Sequence, residues 1–225
     1  MPTRRAGARP QLSWDYAPPV GFYEEQVLPR VIDVLLGNRR MAKLRRRTVE
    51  GLSGTVVELG FGSGPNVPLY PPTVERVLAV DPSLTGRRLA AKRLAVSPVP
   101  VEFVGLDGEH LPLDDASVDD ALSTWTLCTI PHADLALREV HRVLRPGGRL
   151  HFLEHGLCPD PRVAARQHRL NGLQRRIGGG CNLDRDIAGL LEASPLQVES
   201  MSTFFIQGPK VLSWMYAGTA VKPAA

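Results

Sequence analysis

Apolar positions along the chain fall into short runs separated by polar turns. Thr55 to Leu59, carrying Val56, Val57 and Leu59, predicts a buried strand. Arg76 to Val80, Val101 to Val104, Asp119 to Thr124 and Arg149 to Glu154 predict four more. Helical spacing covers 83–95 and 132–144, and the second stretch places Ala133, Ala136, Val140, Val143 and Leu144 on one face. Val67 to Tyr70 is cut short by Pro71-Pro72, and the 132–144 helix stops at Pro146-Gly147-Gly148. Downstream, Gln167 to Ile177 reads as a basic helix and 185–193 as a helix capped by Asp184. Strands at 197–206 and 210–221 turn at Gly208-Pro209. Upstream, helices at 23–36 and 39–50 divide at Gly37-Asn38, and residues 1–13, basic with Pro2, Gly7 and Pro10, read as disordered in part. Strands alternating with helices are the pattern of an open α/β sheet.

The first strand runs into Gly60-Phe61-Gly62-Ser63-Gly64-Pro65-Asn66, with glycine at every second position. Such a turn lets a ligand approach the backbone closely, because no Cβ stands in the way. A dinucleotide fingerprint needs its third glycine one place later, where Pro65 stands, and this opposes an NAD-linked reductase. Asp81 ends the second strand, at the edge where open α/β sheets bind ligands, and is placed to take the two hydroxyls of a ribose. Capping of the next helix by Asp81 or Ser83 is the competing reading, and both hold together with Ser83 as cap and Asp81 as ligand. Asp107-Gly108, after the third strand, is also a plain turn-forming pair.

Glu58-Leu59-Gly60-Phe61-Gly62-Ser63-Gly64, Asp81, Leu106-Asp107-Gly108-Glu109 and Arg145-Pro146-Gly147-Gly148 resemble, in order and interval, the cofactor-site landmarks of class I S-adenosylmethionine-dependent methyltransferases over roughly residues 50–155. The resemblance implies an α/β, Rossmann-like sheet of seven strands, mostly parallel with an antiparallel last strand, and helices on both faces. It implies an N-terminal helical lid at 1–50 and a methyltransferase domain at 51–225, with an acceptor-side insertion at about 156–184. It also implies S-adenosylmethionine as cofactor, with Glu58, Gly60, Phe61, Gly62, Gly64, Asp81, Pro82, Ser83, Asp107, Gly108 and Thr124 around it. Asp107 would accept from the adenine amino group, and Thr124 and its neighbours would meet the methionine part. Trp14, Tyr16 and Tyr23 are candidate pocket walls on the lid, or its ordinary packing on the core. Leu127-Cys128, Phe152-Leu153-Glu154-His155 and Gly178-Gly179-Gly180-Cys181-Asn182-Leu183-Asp184 resemble a narrower group, of bacterial small-molecule methyltransferases and the membrane-associated thiol methyltransferases of animals. The animal proteins carry a hydrophobic N-terminal anchor, which is not expected here.

At 225 residues and 43% hydrophobic, the chain suits one core and one domain. Cys128, Cys158 and Cys181 form no C-x-x-C pair, which points to a reducing, cytoplasmic setting. No apolar run reaches the roughly 18 residues of a membrane span. The net charge of +4 gathers in Arg39, Arg40, Lys43, Arg45, Arg46 and Arg47. At helical spacing Met41, Leu44 and Val49 face inward and these cations face water; an anionic surface, nucleic acid or lipid, is the alternative partner. No aromatic residues interleave with them as a single-strand platform requires, and no Asn-Pro-Pro-Tyr-type motif follows the fourth strand. Nucleic acid is therefore not expected. The histidines match no zinc spacing, so no metal is expected either.

Methyl transfer from a sulfonium is an in-line displacement that needs alignment and exclusion of water more than a strong acid. The acceptor is a small molecule, left open among thiol, phenol, amine and carboxylate. For a thiol, whose free pKa is about 8.5, modest activation suffices. His155, past the fifth strand, is the first candidate base and His132 the second. Cys128 is not expected to act as a covalent nucleophile, because nothing in the sequence pairs it with an activating base.

Overall fold

The computed structural model describes residues 21–224. Trp14 and Tyr16 lie outside them. A π-helical turn, Tyr23–Val27, leads into α1, Leu28–Leu36, and α2, Arg39–Val49. Then follow β1 (Gly54–Leu59), β2 (Val74–Val80), α3 (Leu84–Leu94), β3 (Val101–Gly105) and β4 (Val118–Thr124). The second half holds α4 (Ala133–Val143), β5 (Leu144–His155), α5 (Pro161–Ile177), α6 (Ile187–Glu192), β6 (Gln197–Phe205), α7 (Lys210–Ser213) and β7 (Trp214–Val221).

The strands form one seven-stranded sheet in the order β3-β2-β1-β4-β5-β7-β6. Strands β1 to β5 pair parallel, and β7 runs antiparallel between β5 and β6. Buried on both faces, the central strands carry apolar side chains in near-continuous runs. Val57, Leu59, Ala121, Leu150 and Phe152 face α4 and α6 in one core; Val56, Val77, Ala79 and Leu122 face Val49 and Ala90, from α2 and α3, in the other. The strand order reverses between β1 and β4, which opens a crevice at their carboxyl ends.

Several boundaries differ from the sequence reading, each for a local reason. Helix α5 starts at Pro161, not at 167: the Asp160 side chain accepts from Arg162 N–H at 2.8 Å, and a proline fits the first helical turn. Helix α6 is capped by Asp186, which accepts from Gly189 N–H at 2.9 Å, while Asp184 pairs with His168. Strand β5 begins at Leu144, because Gly147 N–H and Lys222 N–H exchange bonds with Lys222 O and Gly148 O across the Pro146–Gly148 bend. Residues 210–213 are a helical turn, not strand, closed by Ile206 N–H on Ser213 O at 2.9 Å.

The basic helix carries the largest correction. Met41, Arg45, Thr48 and Val49 share one helical stripe, and all four are buried; Leu44 is half-buried. Arg45, expected in water, is 3% exposed. The other five cations of the run are exposed.

Candidate active site

The glycine turn stands at the carboxyl end of β1. Gly60 has φ +67°, and a Cβ there would lie 2.0 Å from Thr126 Oγ1, so only glycine fits between β1 and the turn after β4. Gly62 N–H donates to Asp81 Oδ2 and Ser83 N–H to Asp81 Oδ1, each at 2.7 Å. Ser83 caps α3 through Gly86 N–H at 2.9 Å, so cap and carboxylate are separate residues, as the sequence allowed. Burial raises the Asp81 carboxyl and the two backbone donors oppose that rise. Each Asp81 oxygen keeps a further lone pair, the capacity that two hydroxyls need. Pro82 is exposed beside it.

Beneath the turn lies a buried polar network. Asn66 Nδ2 donates to Glu58 Oε1 at 2.9 Å and to Thr124 Oγ1 at 3.1 Å, and Tyr70 O–H donates to Glu58 Oε2. Arg45, reaching in from α2, donates to Thr124 Oγ1 at 2.6 Å and Asn66 Oδ1 at 3.1 Å, with its guanidinium 4.6 Å from the Trp125 ring centre. Glu58 and Thr124 are thus satisfied by protein. Arg45 Nε has no partner among the described residues, which leaves one buried donor for an acceptor to fill. Burial brings Arg45 down to about 10, so it stays charged at neutral pH, with Glu58 and Glu154 as its anionic neighbours.

Burial pushes Glu58 up to about 7 from an ordinary 4.5, against the opposing bonds from Tyr70 and Asn66. Between those values the folded state holds more protons than the unfolded one, so stability falls as pH rises through that window. The slope from this group reaches about 1.4 kcal/mol per pH unit. Glu58→Gln is expected to flatten urea-derived stability between these two pH values by that slope. An unchanged pH profile would mean that Glu58 is ionised throughout.

Other expected contacts differ in kind. Phe61 is fully buried, edge-on to Phe103 at 5.2 Å, so only its backbone faces the turn. Asp107 is exposed and engaged locally: Oδ1 accepts from Glu109 N–H at 2.7 Å, and Oδ2 lies 2.9 Å from His110 Nδ1, whose pKa it raises. Gly108 lies against Leu59 and Ile130. His132, the second candidate base, is exposed at the start of α4.

Glu154 was missed as a site residue. It is fully buried, and burial raises its pKa. Ser123 O–H donates to it at 2.7 Å, Thr126 N–H at 2.9 Å and Cys128 N–H at 3.4 Å. One carboxyl therefore organises the turn after β4, where Trp125 takes φ +54°. Its only signal was its place beside His155 at the end of a strand.

Cys128, contrary to expectation, does have an imidazole in reach. Cys181 Sγ lies 3.6 Å from Cys128 Sγ and 3.9 Å from His155 Nδ1, although these partners are 53 and 26 residues apart in sequence. The turn that carries Cys181 is pinned to the Cys128 turn by Asn182, whose backbone N–H and Nδ2 each donate to Cys128 O at 2.9 Å. It also meets α1: Gly179 has φ +60°, and a Cβ there would come within 2.6 Å of Leu28. Helix α1 reaches the glycine turn as well, where Asp33 accepts from Ser63 O–H at 2.5 Å and pairs with Arg93 at 2.9 Å. Tyr23 O–H donates to Ile177 O at 2.8 Å.

Comparison with known proteins bears on the family and the fold. A family model described as a methyltransferase domain matches residues 57–152. The chain is 33% identical to thiol S-methyltransferase TMT1B of Homo sapiens over 193 residues, covering 80% of this chain and 77% of that protein. It is 37% identical to the Rattus norvegicus protein of the same name over 136 residues, 59% of this chain and 55% of that one. In fold it is similar to a SAM-dependent methyltransferase of Thermotoga maritima, with TM-score 0.62 and 22% identity over 89% of this chain and 98% of that one.

Proposed function

The chain belongs to the class I S-adenosylmethionine-dependent methyltransferases, and we propose that it moves the methyl group of that cofactor to the sulfur of a small-molecule thiol. S-adenosylmethionine supplies an electrophilic methyl on a sulfonium when bound. Asp81 holds the ribose hydroxyls with its free lone pairs, and the backbone of Gly60, Gly62 and Gly64 lets the cofactor lie against the turn. Arg45 holds the carboxylate of the methionine part through its unpartnered Nε–H. Glu58 and Thr124 position Arg45 and Asn66 beneath it. Gly108 and Asp107 lie at the adenine end. Helices α1 and α2 act as the lid, α1 bonding to the glycine turn and Tyr23, in the π-helical turn before it, bonding to the end of α5, which keeps water from the reacting atoms.

The observation that carries the thiol reading is the meeting of Cys128, His155 and Cys181, with His155 placed to activate an acceptor sulfur. Likeness to a thiol S-methyltransferase, 33% identical over 80% of this chain, supports it. The test is methyl transfer from isotope-labelled cofactor to a panel of thiols, phenols, amines and carboxylates, followed by mass spectrometry. Turnover on alkyl or aryl thiols is expected. Turnover confined to oxygen or nitrogen acceptors would overturn the thiol reading.

Asp81→Ala removes a charged acceptor and is expected to raise the dissociation constant for S-adenosylmethionine at least about tenfold by calorimetry. An unchanged affinity would remove Asp81 from the ribose site.

A further inference from the structure

Cys128 sits in the turn after β4, His155 ends β5, and Cys181 follows α5. Each offers a ligand atom, and the three atoms lie within 4.8 Å of one another. Two of the edges are 3.6 Å, between the sulfurs, and 3.9 Å, from Cys181 Sγ to His155 Nδ1. A tetrahedral zinc ion, with Zn–S near 2.3 Å and Zn–N near 2.0–2.1 Å, sets its ligand atoms about 3.5–3.8 Å apart. Two edges of the triangle are close to those of one ion, and the third is no longer than 4.8 Å.

His155 gives a second, independent sign. The residue is 4% exposed, and among the described residues its Nδ1 has only the long 3.9 Å approach to Cys181 Sγ as a hydrogen-bond contact. Buried imidazole nitrogens are normally satisfied, and an ion set between Nδ1 and the two sulfurs would satisfy this one. The surrounding shell is also built for fixed ligands: Glu154 accepts from Cys128 N–H, and Asn182 ties the Cys181 turn to Cys128 O twice.

We propose that Cys128, His155 and Cys181 bind one borderline-soft divalent cation of the zinc class, and that its fourth position takes the acceptor sulfur. Three protein ligands with one open position are the arrangement of a reactive zinc site, where a structural site would be closed by a fourth. Cys181 is half-buried while Cys128 and His155 are buried, so the open side lies toward Cys181. On binding, both cysteine S–H bonds break, two S–metal bonds form and the two protons pass to solvent. An acceptor thiol loses its S–H proton to solvent in the same way and enters as thiolate, a better nucleophile at neutral pH, so that with metal bound His155 serves as a ligand and not as the base. The acceptor position rests on the thiol reading above; the three-ligand site does not.

The test uses the full chain, reduced with a phosphine, stripped with a chelator and titrated with Co2+ without oxygen. One equivalent is expected to bind with the visible bands of four-coordinate cobalt and sulfur charge-transfer absorption, and to be displaced by Zn2+. Cys181→Ser, at the partly exposed corner, is expected to weaken Co2+ at least about tenfold and to reduce the charge-transfer band, with His155→Ala weakening it similarly. No saturable binding, or a spectrum and affinity unchanged in Cys181→Ser, would overturn the site. Adding an alkanethiol is expected to shift the cobalt bands. A cobalt spectrum that forms but ignores every thiol overturns the acceptor position and leaves the three-ligand site standing.

Discussion

Glu154→Ala is expected to lower the folding free energy by about 3–5 kcal/mol, read as a fall in the urea midpoint at constant slope. Three donors converge on this carboxyl, from Ser123, Thr126 and Cys128, and all lie in the interior at the end of β4. Alanine leaves them without water or protein partners, at about 1–3 kcal/mol each before relaxation, and adds a cavity in a packed sheet. It also strips Arg45 of one of its two anionic neighbours. Glu154→Gln keeps the volume and one acceptor oxygen, so about 1–2 kcal/mol is expected for it. A Glu154→Ala midpoint within about 1 kcal/mol of the parent would mean that the turn after β4 holds without this carboxyl.

The sheet was legible because its signals are local. Buried parallel strands read as apolar runs, Gly60-Phe61-Gly62-Ser63-Gly64 marks the crossing from β1, and Asp81 ends β2 where the turn needs a carboxylate. The glycine turn and its acid were legible for the same reason, since both lie within one strand-turn-strand unit. The rest depends on long-range closure. Arg45 sat on the same stripe as Met41 and Val49, but a cation among five others looks solvated until Thr124, from a distant strand, is brought beneath it. Cys128, His155 and Cys181 match no metal spacing, because the turn after β4, the end of β5 and the segment after α5 supply one residue each and only the sheet order makes them neighbours. Local propensity also misplaced ends: the cap expected at Asp184 is made by Asp186, and Asp184 pairs instead with His168.

Arg45→Met is expected to weaken S-adenosylmethionine binding about 100-fold, close to 2.7 kcal/mol. The substitution keeps the apolar stem that packs α2 and removes only the guanidinium. Two effects then act together: the cofactor carboxylate loses its charged donor, and Glu58 loses the cation that opposes its burial, so its pKa rises above about 7. Arg45→Lys is expected to recover only part of the affinity, because one ammonium can take the place of Nη1 on Thr124 and Asn66 but cannot also offer the donor that Nε supplies. A merely structural role for Arg45 would weaken every ligand alike. The discriminating ligand is 5′-methylthioadenosine, which keeps the adenine and ribose and lacks the carboxylate. If Arg45 holds the carboxylate, Arg45→Met leaves methylthioadenosine binding nearly unchanged while S-adenosylmethionine binding collapses. Asp81→Ala gives the opposite pattern, weakening both ligands because both carry the ribose. Equal losses for the two ligands in Arg45→Met would make Arg45 an anchor of the lid and leave the carboxylate to another donor.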